Sequence, residues 1–256
     1  MIKFFRKIRQ NLLKENKTGK YLKYAIGEIV LVVIGILIAL SINNWTGNRK
    51  NMAKKEMQLK ALKIQFNSNL AQLNEVIYYD DLVLRSTKKL LELNPENPIE
   101  MASDSLRFWL QYSSYRWTFN PINGALRSAI SSGEIHLVES DSLVDLLFGW
   151  QDVVADAKEE EERCVAAVIA SQPIIEKHVR KVDYKSVHVP ELGKSRFPTN
   201  YQSLLQDPLF EDFLGERYIS MHEALFELND VKKNNALILK LIDAELTKKK
   251  EITQIN

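Results

Sequence analysis

Apolar residues follow two different patterns along the chain. Residues 25–42 form an almost unbroken apolar run, whereas from residue 48 to about residue 93 apolar side chains recur every three or four positions. Eighteen residues of helix span ~27 Å, close to the ~30 Å hydrocarbon thickness of a bilayer. The 3–4 spacing is typical of a helix that packs along one face. These patterns predict a transmembrane helix followed by a helical domain.

Apolar spacing and capping residues predict three helices in the first half of that domain. The first is expected to pack through one seam of apolar residues: Leu59, Leu62, Phe66, Leu70, Leu73, Ile77 and Leu84. The second is capped by Ser103 or Asp104 and ends near residue 115. The third begins at Asn120-Pro121 and closes at Gly133, where glycine supplies a left-handed residue.

The second half is predicted to contain two long helices. Residues 134–138 read as an extended link, and Ser140 or Asp141 caps a helix that reaches about residue 182. Pro173 is expected to kink or break that helix, because proline lacks a backbone donor.

A loop over residues 183–198 and a helical turn over residues 201–206 are predicted to precede the final helix, which ends near residue 249. Lys232 and Asn235 interrupt its apolar seam. The predicted fold is all-α: one transmembrane helix and an elongated antiparallel helical bundle.

Charge is distributed unevenly along the chain. Residues 1–50 carry ten Lys or Arg against two acidic residues, and the remaining residues carry 25 against 31. Eight cations precede the apolar run and five follow it closely, which favours a cytoplasmic N-terminus. We expect a basic amphipathic cytoplasmic tail (1–23), a transmembrane helix (24–45) and a helical soluble domain outside the cytoplasmic membrane (46–256). The acidic balance of that domain argues against a nucleic acid partner.

Two alternatives concern the N-terminal region. A cleaved signal peptide would use the small residues Ala39 and Ser41, but the basic region and the apolar run are both longer than in ordinary signals, so the segment is predicted to stay attached. The basic tail is either a short helix on the lipid surface or a disordered flank that only sets topology.

Small residues and one acid mark the apolar run. Gly27, Gly35 and Ala39 share a helix face, and such residues allow close packing of helices in lipid. They predict helix association, through a homo-oligomer or a membrane protein partner. Glu28 either faces such a partner or lies near the interface, where it meets Lys20 or Lys23.

The densest aromatic segment is residues 108–119. Phe108, Tyr112, Tyr115 and Phe119 fall on one stripe and are expected in the core. A neighbouring stripe places Trp109 and Trp117 beside Arg116, and these three residues are a possible partner surface. Core packing and a binding surface both remain open for this segment.

The sequence contains no recognisable catalytic, nucleotide or metal motif, so no cofactor is expected. The histidines lack helical partners at metal-ligand spacing: His136, His178, His188 and His222. Cys164 is interpreted as a small buried hydrophobe, and the acidic run at residues 159–162 as a solvated helix face. The chain is not expected to be an enzyme.

The opening residues, MIKFFRKIRQNLLKENK through YAIGEIVLVVIGILIALSINNW, resemble an uncharacterised family of small membrane-anchored proteins of Gram-negative bacteria. A second segment is also similar. In it a short helix ends at Ser132-Gly133, and a new helix that contains Leu143 and Leu147 follows after Ile135, Leu137 and Val138. The chain departs from the family at Trp150, where Tyr is common. The resemblance implies an anchor in the cell inner membrane and a helical domain with no known activity. With the orientation expected from the charge bias, that domain would be periplasmic.

Two functions fit these observations. The first is a membrane-anchored interaction or scaffold protein with an extracytoplasmic helical bundle. The second is an extracytoplasmic ligand-sensing bundle that acts through a partner protein, because the cytoplasmic tail is too short for an output domain.

Overall fold

The computed structural model describes residues 18–97 and 104–255, and within them all regular structure is helical. Most of the predicted basic tail therefore lies outside the described residues. The chain divides into two compact units, Met1–Glu56 and Met57–Asn256. Seven α-helices are described: α1 (Thr18–Leu91), α2 (Asp104–Ser113), α3 (Gly124–Ser131), α4 (Asp141–His178), α5 (Lys181–Lys185), α6 (Tyr201–Leu205) and α7 (Pro208–Ile255).

In the first unit, α1 contains the predicted transmembrane run. Within the described residues it is the one helix long and apolar enough to cross a membrane, and none of its apolar window is buried. The helix continues without interruption through Gly47, where the sequence suggested that a separate helical pattern begins.

In the second unit, three long helices pack through seams with a regular 3–4 spacing. On α1 the buried positions include Leu59, Leu62, Phe66, Asn69, Leu73, Val76, Asp80, Val83, Thr87 and Leu90. Of the predicted seam, Leu59, Leu62, Phe66 and Leu73 are buried, whereas Leu70, Ile77 and Leu84 are only half-buried. Each of these three follows directly after the residue that is buried instead, which is Asn69, Val76 or Val83. The polar residues Asn69, Asp80 and Thr87 keep the seam in phase.

The core contacts give the directions of the helices. Phe66 of α1 packs on Trp150 near the start of α4, with ring centroids 5.0 Å apart, and Lys63 pairs with Asp243 near the end of α7. Further along, Leu90 shares a core cluster with Ile175 and Phe210. Consequently α1 and α4 run in the same direction and α7 runs opposite to both. The expected antiparallel arrangement therefore applies to α7 only, because α2 and α3 return the chain before α4 begins.

Several local predictions need correction. The helix expected at Asn120-Pro121 begins at Gly124, with Asn123 as its N-cap residue. Residues 134–138 do not form an extended link, since Glu134–Leu137 is a 3-10 helix. Gly133 has the predicted left-handed conformation, with φ of 72°. Ser140 caps α4 as expected, its Oγ accepting from the Leu143 N–H.

The region after α4 is also more helical than predicted. Pro173 does not end α4, which continues to His178, a few residues short of the predicted end near residue 182. The predicted loop over residues 183–198 contains part of α5 and a 3-10 turn, Pro190–Leu192. The helical turn at α6 is confirmed, as is the long final helix, which continues to Ile255.

Candidate functional site

A non-helical segment lies over the core of the second unit. This segment, residues 114–123, joins α2 to α3, and we call it the strap. Its Phe119 is buried against Trp150, with ring centroids 6.5 Å apart. The backbone N–H and C=O groups of this segment that face the core need partners, because an unpaired group in the interior is costly.

Arg217 of α7 supplies partners at the start of the strap. Its side chain has no solvent exposure, although arginine is almost never fully buried unless it is paired. Nε donates to the Ser113 carbonyl at 3.1 Å, Nη1 to the Cys164 carbonyl at 3.3 Å, and Nη2 to the Tyr115 carbonyl. One guanidinium therefore fastens the end of α2 and the strap to α4.

Side-chain amides of α1 hold the C-terminal end of the strap. Asn69 forms two hydrogen bonds with the backbone of Ile122, accepting from its N–H at 2.8 Å and donating to its carbonyl at 3.0 Å. Gln65 Oε1 accepts from the N–H groups of Ala125 and Leu126, which occupy the first turn of α3. Because Asn123 makes no side-chain cap, Gln65 caps α3 from a neighbouring helix.

Two buried carboxyl groups bind the middle of the strap. Glu161 of α4 accepts from the Phe119 N–H at 2.7 Å, and Asp80 of α1 accepts from the backbone N–H of Trp117. Burial raises the pKa of Asp80 to about 7, with Arg217 opposing the shift and Glu161 adding to it. Burial also raises the pKa of Glu161 to about 7 against the Phe119 hydrogen bond.

These polar residues therefore hold the strap in place. The interpretation of residues 159–162 as a solvated face was wrong for Glu161, which points into the core. Asp80 and Arg217 were not recognised from the sequence. The available signal was their position: each lies three or four residues from buried neighbours on its own helix. Cys164 is buried as predicted, and burial raises the pKa of its thiol.

A hydrogen-bonded chain of Ser203, His178 and Asp207 lies where α4, α6 and α7 meet. His178 Nδ1 is 2.8 Å from Ser203 Oγ, and its Nε2 is 2.8 Å from Asp207 Oδ2. Asp207 also accepts from Lys177 and from the Leu209 N–H, and these bonds, with that of His178, lower its pKa to about 2. These contacts tie the end of α4 to the start of α7, so the arrangement has a structural explanation.

The aromatic segment is divided between packing and surface. Phe119 is buried, whereas Phe108, Tyr112 and Tyr115 are half-buried. Trp117 stacks on Tyr79, with centroids 4.2 Å apart and the rings within 5° of parallel. Trp109 lines an open groove of about 650 Å³ between α2 and residues 186–187. Arg116 lines a different cavity, so the three residues proposed as a partner surface do not share one cleft.

That second cavity, which we call the Lys185 pocket, has a volume of about 290 Å³. Three elements form it: the strap, α4 and the last residue of α5. Its lining residues are Ser114, Tyr115, Arg116, Val168, Gln172 and Lys185. Lys185 Nζ lies 5.6 Å from the centroid of the Tyr115 ring and 5.3 Å from that of Tyr184. Because Arg217 fixes the strap backbone at Tyr115, the wall formed by Ser114 and Arg116 is anchored to the core.

The residues predicted to mediate helix association lie in the first unit. Gly27 and Gly35 have open space where a Cβ atom would stand, and Ala39 is exposed. Glu28 is half-buried. These four residues are remote in sequence from the strap and the Lys185 pocket, and they form a separate candidate site.

Residues 28–148 match the model of a family described as a family of unknown function (DUF6090). No curated protein and no solved structure matches the chain. This match confirms the predicted similarity to an uncharacterised family. The matched residues include Gln65, Asn69, Asp80 and the whole strap, but they end before Glu161 and Arg217. The match brings no activity, substrate or partner with it.

Proposed function

We propose that this chain is a membrane-anchored interaction or scaffold protein that carries its helical domain on the outer side of the inner membrane. The observation that supports the proposal is the apolar stretch of α1. Large apolar side chains over residues 29–42 are about half exposed or more, and the stretch contributes nothing to the three core clusters of the second unit. A lipid bilayer is the solvent that makes such exposure favourable.

The charge bias across the apolar stretch supports a cytoplasmic N-terminus. We expect alkaline phosphatase fused after Asn256 to be active, because this reporter folds only outside the cytoplasm. As a matched control, a reporter that is active only in the cytoplasm, fused at the same residue, should stay inactive. The reverse pair of results would contradict the proposed orientation.

The small residues support self-association of the membrane helix. We expect Gly35→Ile to weaken association in a membrane two-hybrid reporter at least severalfold, because the added side chain fills the space through which helix backbones approach. Val33→Ile adds bulk on the opposite side of the helix, since each residue advances the helix by about 100°. If the two variants behave alike, the small residues serve only as part of an anchor.

A second candidate function is ligand sensing through a partner protein. The Lys185 pocket favours it, because this pocket is built on anchored elements and is lined by cations and polar groups. A scaffold role requires no such pocket. Purification of the full chain in a mild detergent distinguishes the two: a stable second subunit is expected for a scaffold, and a retained small molecule for a sensor.

A further inference from the structure

We propose that the Lys185 pocket binds a small anion whose carboxylate or phosphate group lies between Lys185 and Arg116. The inference names the ligand class for the sensing function proposed above and rests on that function only for its biological use. Binding itself is independent of membrane orientation, so an experiment can reject one of the two proposals without rejecting the other.

The first step is the lack of a counter-ion. Within the part of the chain that the structure describes, neither the Lys185 side chain nor the Arg116 side chain forms an ion pair or a hydrogen bond. No carboxylate lines the pocket, and two of the acidic residues near Lys185 in the chain are bound elsewhere. Glu176 pairs with Lys181 at 2.9 Å, and Asp183 accepts from the Ser195 N–H at 2.8 Å and from the Thr199 hydroxyl. The pocket therefore carries two positive charges that no neighbouring side chain neutralises.

The second step concerns the surroundings of Lys185. Its side chain is half-buried between the rings of Tyr115 and Tyr184, and this desolvation, with the charge of Lys181, lowers the pKa of Lys185 to about 8. A lysine without special function normally extends into water. Tyrosine ring faces offer partial compensation for a desolvated ammonium, but they leave its N–H donors available to an anion.

The third step concerns the polar groups that line the pocket beside the two cations. Ser114 Oγ is buried and has no hydrogen-bond partner among the described residues, and Gln172 reaches the pocket from α4. A bound oxyanion would accept from the Gln172 amide and both cations. Val168 supplies an apolar wall. The volume of about 290 Å³ lies at the lower end of the range for ligand pockets and suits an anion of only a few heavy atoms.

The test uses the full chain in non-ionic detergent and two probes, inorganic phosphate and succinate, titrated calorimetrically at constant ionic strength. We expect saturable binding of at least one probe with a Kd of roughly 0.1–1 mM. Preference for phosphate identifies a phosphate ligand, and preference for succinate identifies a carboxylate. Succinate affinity should fall as pH rises through 8, because Lys185 then loses its charge.

Lys185→Met should weaken binding about tenfold or more. Arg116→Gln, a change at an exposed residue that leaves the core intact, should have an effect in the same direction. Lys194→Met removes an exposed cation of the following loop and should leave the affinity unchanged. The proposal is overturned if neither probe binds more tightly than roughly 10 mM, or if Lys185→Met and Arg116→Gln both bind like the wild type.

Discussion

Arg217→Met is expected to destabilise the helical domain by about 3–5 kcal/mol, the loss typical of removing one member of a buried charged network. Methionine fills much of the same volume but donates no hydrogen bonds. The carbonyls of Ser113, Tyr115 and Cys164 would then stay buried without their donors. Urea denaturation of the full chain in detergent, followed by circular dichroism, measures this change.

The matched control is Arg163→Met. Arg163 also bonds residues of α7, but its pairs with Glu216 and Glu223 are solvent-exposed, so its loss should destabilise the domain far less than the loss of Arg217. Hydrogen exchange gives a second measurement: Arg217→Met should accelerate exchange in the strap before the rest of the domain. Equal stabilities of the two variants would show that Arg217 does not fasten the strap.

The second large effect is on how the stability of the helical domain depends on pH. In the folded domain Asp80 and Glu161 have pKa values near 7, whereas in the unfolded chain they return to ordinary values near 4. Between these limits the folded state holds protons that the unfolded state has released, so stability falls as pH rises towards 8. We expect the free energy of unfolding to be roughly 2 kcal/mol greater at pH 6 than at pH 8.

The double variant Asp80→Asn with Glu161→Gln should remove most of this difference, because amide oxygens still accept from the strap but do not titrate. Glu92→Gln is the control. A hydrogen bond from Lys89 lowers the pKa of Glu92, so this exposed carboxylate stays ionised throughout the window and its removal should leave the pH slope unchanged. A wild-type domain more stable at pH 8 than at pH 6 would contradict the prediction.

The long helices could be predicted because their apolar residues are regularly spaced. Prediction failed where a polar side chain occupies a buried position, as at Asn69 and Asp80, because hydrophobicity alone selects Leu70 in place of Asn69 and assigns no seam residue at Asp80. It also failed at Asn120-Pro121. Those residues fit a helix start, but the strap backbone is held by Asn69 and Glu161, and α3 starts at Gly124 instead.

The candidate site was harder to predict than the fold. Arg116 was selected because it stands among aromatic residues, yet its pocket partner Lys185 lies 69 positions later in a segment interpreted as loop. Nothing in local spacing links the two. Their proximity depends on Arg217, which anchors Tyr115, and on α5, which ends at Lys185. Such a pocket emerges only from tertiary packing.

Recognition of the strap through its main chain has an evolutionary consequence. Backbone N–H and C=O groups are the same for nearly every amino acid, so Arg217, Glu161, Asp80 and Asn69 do not depend on the strap side chains they hold. Relatives are therefore free to vary Arg116 and Thr118 without loss of the fold. A change at any of the four anchoring positions is expected to require a compensating change at another.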